Sequence, residues 1–360
     1  MNVELEYKLR TLRETMSRHA LRGIRMKGTD WFSWTTCGAD NSVLLSSETG
    51  VAEVLVTETD AWVLTDNIEA KRLLSEQLAA PLGLAVCPWN DTRARQEFVD
   101  EKAPGLVASD RPSRDELSLP GELLMLRRYL QADEVKRYVH LGRETAEAVT
   151  DAISCSSPDW TEYDLSAAAS AALWHRGIQP ALTVAAGHDR ILAHRHPLPT
   201  RNLLGERAML VVCGRRHGLY ANLTRFVYFR RRTWEEERAS IAVGQVESVA
   251  LEGSEAHRSL GEIYRDMAAG YETAGYPGAE REHHQGGITG YLSRDILALP
   301  SARERVELSM AVAWNPSVSG SKIEDTALVT EDGIELLTTD ERWPVYEVAG
   351  RPRPLELYID

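Results

Sequence analysis

Residues 208–229, AMLVVCGRRHGLYANLTRFVYF, form two β runs around a polar, glycine-containing turn. Alternate residues of a strand face opposite sides, so this hairpin commits the chain around it to a sheet. The turn carries His217, and the second arm carries Asn222, Thr224 and Arg225. A buried Asn or Thr needs hydrogen-bond partners. The hairpin therefore predicts either an internal polar network or the wall of a cleft.

The flanking segments alternate in type. TEYDLSAAASAALWHRG opens with Thr161 as N-cap and ends at Gly177, so it reads as a helix. TWEEERASIAVGQVESVALEGS and LGEIYRDMAAGYETAG read as two further helices, and LSMAVAWNPSVSGSKIEDTALVTEDGIELLT as a β meander turning at 316–320 and 332–333. Before them, residues 1–20 predict a helix through Leu5, Leu9, Leu12 and Met16. SVLLSS, AEVLVTET, AWVLT and GLAVCPW predict strands, and NIEAKRLLSEQLAA a helix. A helical stretch crosses Pro120 and Gly121, which marks the boundary. The expectation is an α+β chain, with a smaller α/β domain over 1–125 and a larger domain over 126–360. With 360 residues, 43% of them hydrophobic, the chain can fill two cores.

Charge and cysteines narrow the function classes. A net charge of -13 argues against nucleic acid or an anionic membrane as partner. No run of about 18 apolar residues exists, so no membrane span is expected. The opening MNVELEYKLRTLRETM has no apolar signal region, and a cytoplasmic protein is expected. Cys37, Cys87, Cys155 and Cys213 form no CxxC pair and read as reduced thiols.

Three more segments hold clustered polar groups. In AHRHPLPT, His194 and His196 share a face if the segment is a strand; otherwise they are surface residues before a proline-rich turn. In EREHHQGGITGYLSRD, strand alternation lets only one of His283 and His284 face a given site. Gly286 and Gly287 there permit close backbone approach or positive φ. In AWNPSVSGSKIEDTALVT, Asn315 precedes Pro316, and Glu324 and Asp325 lie in an otherwise apolar strand. A carboxylate there is costly unless paired or used.

Three of these segments, in this order, resemble the pita-bread superfamily of creatinase, prolidase and aminopeptidase P (peptidase M24-like). HPLPT is similar to its His-x-x-Pro-Thr element, GLYANLTRF to its Gly-Tyr-x-Ser-Asp-x-Thr-Arg hairpin, and AWNPSVSGSKIEDTALVT to its Glu-Pro-Gly turn and Glu-Asp-Thr strand. The resemblance spans the chain, more loosely before about residue 125. It implies a pita-bread C-terminal domain behind a creatinase-like N-terminal one.

The family's metallopeptidases hold two ions with two Asp, one His and two Glu. Carried over position by position, four of these ligands fall on Val211, Asn222, Gly287 and Asn315, and only Glu324 is kept. Valine and glycine offer no ligand atom. The resemblance thus implies a subgroup without the metal ligands, and no metal or other cofactor is expected. His196 matches the acid/base histidine of creatinase, Glu324 a carboxylate that contacts its substrate, and Thr224 the position of a creatinase glutamate.

The implied activity is a metal-independent hydrolase or lyase that cleaves a C–N bond in a small amino-acid-like substrate. His196 would shuttle the proton, Glu324 would act as its electrostatic partner, and His284 or His283 as a second acid/base. His194, His283, Asn222, Thr224, Asn315 and Arg294 are the candidate substrate contacts. The resemblance further implies a homodimer, in which Trp31 and Trp34 would lie near the partner's cleft as an aromatic lid. Two alternatives are a pita-bread protein that only binds a ligand or partner, and a metallopeptidase with relocated ligands among His194, His196, His283, His284 and Glu324.

Overall fold

The computed structural model describes residues 3–78, 82–113 and 115–359, and the chain divides into two compact units, Met1–Glu134 and Val135–Asp360. In the first unit a mixed sheet runs in the order Gly83–Cys87, Ala61–Asp66, Thr49–Val56, Gly23–Gly28, Val107–Ser109, Leu117–Ser118. The helix Val3–Arg18 buries Leu5, Leu12 and Met16, three of the four residues that predict it. Leu55, Leu64, Ala85, Val99, Ala103 and Val107 form one apolar core cluster. SVLLSS is not a strand: Val43, Leu44 and Leu45 stand in a turn and are more than half exposed. The helix predicted over NIEAKRLLSEQLAA is one short turn, Ala70–Arg72, followed by a wider π-helical turn, Leu73–Gln77; its last two positions lie outside the described residues.

In the second unit the long hairpin pairs Arg207–Arg216 with Leu219–Tyr228 through a tight turn, where His217 and Gly218 take φ of 54° and 79°. These are the left-handed values that a two-residue hairpin turn requires. Gln179–Gly187 flanks one arm and Leu357–Tyr358 the other. A second sheet runs Ile296–Leu297, Gly286–Thr289, Ala311–Trp314, Asp325–Thr330, Gly333–Leu336. The two sheets meet where Thr224 bridges Glu324 and where the Asn222 amide donates to Thr326 Oγ1 at 2.8 Å. The helices Glu162–Trp174, Trp234–Gly253 and Leu260–Thr273 start at Thr161, Thr233 and Ser259, and each start is a reciprocal capping box. The architecture is the mixed α+β expected from the sequence.

Candidate functional site

The hairpin face that meets the second sheet changes character along its length. Directly opposed residues of paired strands point to the same side, so Met209, Val211 and Cys213 share a face with Phe226, Thr224 and Asn222. Met209, Val211 and Phe226 pack into an apolar cluster with Val184, Ala186, Ile191 and Tyr228. Two residues further on, Thr224 Oγ1 donates to Glu324 Oε2 at 2.9 Å, and Asn222 Nδ2 donates to Thr289 Oγ1 at 3.2 Å. Burial pushes the Cys213 thiol up to about 12, so it offers no thiolate nucleophile at neutral pH.

Glu324 is buried and doubly paired. Arg294 Nη2 donates to its Oε1, and Lys322 Nζ lies 2.8 Å from its Oε2. Burial works to raise this carboxyl, but the charges and hydrogen bonds of Lys322 and Arg294 outweigh it and hold it far below the ordinary carboxylate range. Lys322 was not a candidate from the sequence. Its signal was its place two residues before Glu324, at the foot of the hairpin Ser317–Val318 and Ser321–Lys322.

Three imidazoles face this ion-paired group. His196 Nε2 and His283 Nε2 are 3.0 Å apart, and the His283 and His284 rings stack at 4.3 Å between centroids. Burial, then Lys322, push His283 down to about 3; burial, then Arg294, push His284 down to about 4. His196 is lowered from its ordinary value by burial first and Lys322 next. All three rings are therefore neutral at pH 7, and one nitrogen of the 3.0 Å contact carries a proton that the other accepts.

Strand alternation does not separate His283 from His284, because both precede the strand Gly286–Thr289 in irregular backbone. Gln285 fixes that backbone: its Nε2 donates to the His283 carbonyl at 2.7 Å, and its Oε1 accepts from Tyr271 Oη at 2.9 Å. The glycine pair behind it is required. Gly286 and Gly287 have φ of 98° and 146°, and a Cβ at either would lie 2.1 Å from a carbonyl oxygen, of Ala313 and Ile296 respectively.

Asn315 is also buried at this end, its amide donating to the Gln285 carbonyl at 3.1 Å. The side-chain oxygens of Asn222, Asn315 and Ser317, Arg294 Nε, and Nδ1 of both His283 and His284 are buried without a hydrogen-bond partner among the described residues. Native interiors leave few such groups, and six of them lie on these residues.

Within this unit, His194 stays apart from these groups. AHRHPLPT is a loop after the short helix His188–Ala193, not a strand, so His194 and His196 do not share a strand face; His194 ends the helix, exposed. Trp31 and Trp34, 2% and 1% exposed, are buried on the helix Thr29–Thr35 and pack edge to face.

The pair of divalent ions held by the family's metallopeptidases does not fit these residues. Val211 belongs to the apolar cluster, Gly287 has no room for a side chain, and both Glu324 oxygens are engaged by cations. A different set is His196, His283 and His284, whose ligand atoms all lie within 4.8 Å of one another among the described residues.

The model of metallopeptidase family M24 matches residues 136–331. The chain is similar in fold to the prolidase from Pyrococcus horikoshii OT3, with a TM-score of 0.78 and 15% identity over 93% of this chain and 99% of that one. It is similar to the same degree, 0.78, to the Xaa-Pro dipeptidase from Bacillus anthracis, at 14% identity over 99% and 100% of the two chains. The N-terminal domain of the FACT complex subunit SPT16 from Cicer arietinum (chickpea) also shares the fold, with a TM-score of 0.70 and 12% identity over 93% and 96%. No curated protein matches the sequence.

Proposed function

The chain belongs to metallopeptidase family M24, and from that premise we propose a hydrolase that cleaves a C–N bond in a small amino-acid-like molecule without a catalytic metal ion. One observation carries this reading: His196 Nε2 lies 3.0 Å from His283 Nε2, beside a carboxylate already neutralised by Lys322 and Arg294. A neutral imidazole with a second imidazole in reach can accept a proton and pass one back. In the proposed step His196 takes a proton from water as the water oxygen bonds to the substrate carbon. The C–N bond breaks, and the departing nitrogen receives that proton. His283 and His284 tune and relay the charge. Glu324 holds Lys322 and Arg294 in place and takes no proton. Asn222, Asn315 and Thr224 line the wall as hydrogen-bonding partners for the substrate, and His194 stands outside it.

The three-histidine set supports a second reading, a single divalent ion held by His196, His283 and His284. Lys322 and Arg294 weigh against it, since their charges already act on these rings. A panel of N-acyl, N-carbamoyl and N-amidino amino acids and X-Pro dipeptides, assayed for released amine with and without chelator, separates the two. Turnover that survives chelation is expected. Turnover abolished by chelator and restored by zinc or cobalt establishes the metal reading, and no turnover of any panel member counts against both.

A further inference from the structure

At Glu324 two cations meet one carboxylate. Lys322 and Arg294, with side chains 5% and 15% exposed, bracket Glu324, one on each carboxylate oxygen. The adjacent acid, Asp325, is spent elsewhere: its oxygens accept from Arg225 Nη2 at 2.8 Å and Arg353 Nη2 at 2.6 Å. The charged groups acting on His196 are Lys322, Glu324 and Arg294, and the rings themselves are neutral. Two cations against one carboxylate leave a surplus of one. An unbalanced buried charge is expensive unless a counter-charge arrives.

The donors point the same way. A lysine ammonium has three N–H groups, and Glu324 is the partner found for Lys322 Nζ among the described residues. Arg294 Nε is buried with no hydrogen-bond partner among the described residues. Both cations thus keep donors in reserve after satisfying Glu324. These two residues are neither the proton carriers proposed above nor members of the family's ligand set.

We infer that Lys322 and Arg294, held by Glu324, form a carboxylate-binding site, so that the substrate enters as a monoanion whose charge completes the pair of ion pairs. This deepens the hydrolase reading and rests on it for the word substrate; the binding itself does not. A single surplus charge matches a carboxylate better than a phosphate, which carries about -1.5 to -2 at pH 7. Two reserve donors on different side chains suit the two oxygens of a carboxylate.

Calorimetric titration at pH 7.5 tests the site with N-acetylglycine, its uncharged primary amide, and inorganic phosphate. The acid is expected to bind at least tenfold tighter than the amide and tighter than phosphate. Lys322→Met and Arg294→Gln should each weaken the acid at least tenfold and leave the amide unchanged. Glu324→Gln keeps a side-chain oxygen to hold the two cations while raising the surplus to two, so it should tighten the acid severalfold; weaker binding of the acid with the amide unchanged would overturn the charge argument. Circular dichroism checks folding, and if a variant unfolds the wild-type comparison of acid with amide still decides. Equal binding of acid and amide, or a preference for phosphate, overturns the inference. Acid binding without turnover in the panel removes the hydrolase reading and leaves the site. Turnover with equal kcat/KM for acids and their amides removes the site and leaves the hydrolase.

Discussion

His196 sits on a loop, and its ring meets His283 at 3.0 Å rather than through a strand face. Because it is exposed, His196→Ala should fold normally while turnover falls by about 10²–10⁴. Unchanged turnover would end its assignment and pass the role to His283 or His284. Partial burial and Lys322 lower its pKa, so kcat/KM should rise with pH through a group below the ordinary 6.5 and then level. A second expectation concerns stability. His283 and His284, at about 3 and 4, stay neutral in the folded chain while the unfolded chain takes up protons near the ordinary 6.5. The unfolded state therefore gains stability as pH falls below about 6.5, and the fold loses it between there and about 4. Glu324 behaves differently: its contribution is intact above the ordinary 4.5 and lost only as pH falls toward its depressed folded value. Urea midpoints between pH 7 and 4.5 should thus fall for the wild type and fall less for His283→Gln/His284→Gln. An identical slope in the variant would show that these rings are not desolvated. At this scale the sequence displayed the histidines, Glu324 and both asparagines, but not Lys322. A lysine in a glycine-serine turn reads as solvated until the turn is folded over a carboxylate.

Elements were legible where local rules decide them. Thr161, Thr233 and Ser259 cap their helices through side chains three residues away, which needs no tertiary information. The hairpin was readable for the same reason, its turn and both arms being contiguous in sequence. SVLLSS is no strand and AHRHPLPT takes the second of its two readings, because apolar runs and alternating histidines acquire strand character only from a pairing partner, and neither segment pairs among the described residues. The glycine pair tests the element scale directly. Gly286→Ala places a methyl 2.1 Å from the Ala313 carbonyl oxygen, on the neighbouring strand, at φ 98°. The strand cannot give way without breaking its ladder, so a loss of more than about 1 kcal/mol is expected in chemical denaturation. Gly121→Ala, where nothing lies within 4 Å, is the control and should cost little. Equal costs at the two positions would mean that Gly286 is not held in this conformation.

For the whole molecule, the sequence and its resemblance lead to a homodimer, and the first unit adds an observation of its own. Val43, Leu44 and Leu45 are 58%, 67% and 55% exposed on consecutive positions, an arrangement a lone subunit gains nothing from. Light scattering at micromolar concentration should give a dimer, and Leu44→Ser/Leu45→Ser should weaken it. A monomer across that range would remove the proposal. Elemental analysis of the purified protein is expected to find no stoichiometric zinc, manganese, iron or cobalt; a full equivalent of any of them would favour the three-histidine ion instead. By itself the sequence determined the family, the α+β class, the capped helices and the long hairpin, because each is written in residues adjacent or regularly spaced along the chain. The tertiary structure alone decided that His196 meets His283 across 87 positions, that Val211 is spent on an apolar cluster, and that Lys322 and Arg294 close on one carboxylate. Those contacts join segments far apart in the chain, and burial sets the charge states of the groups they bring together.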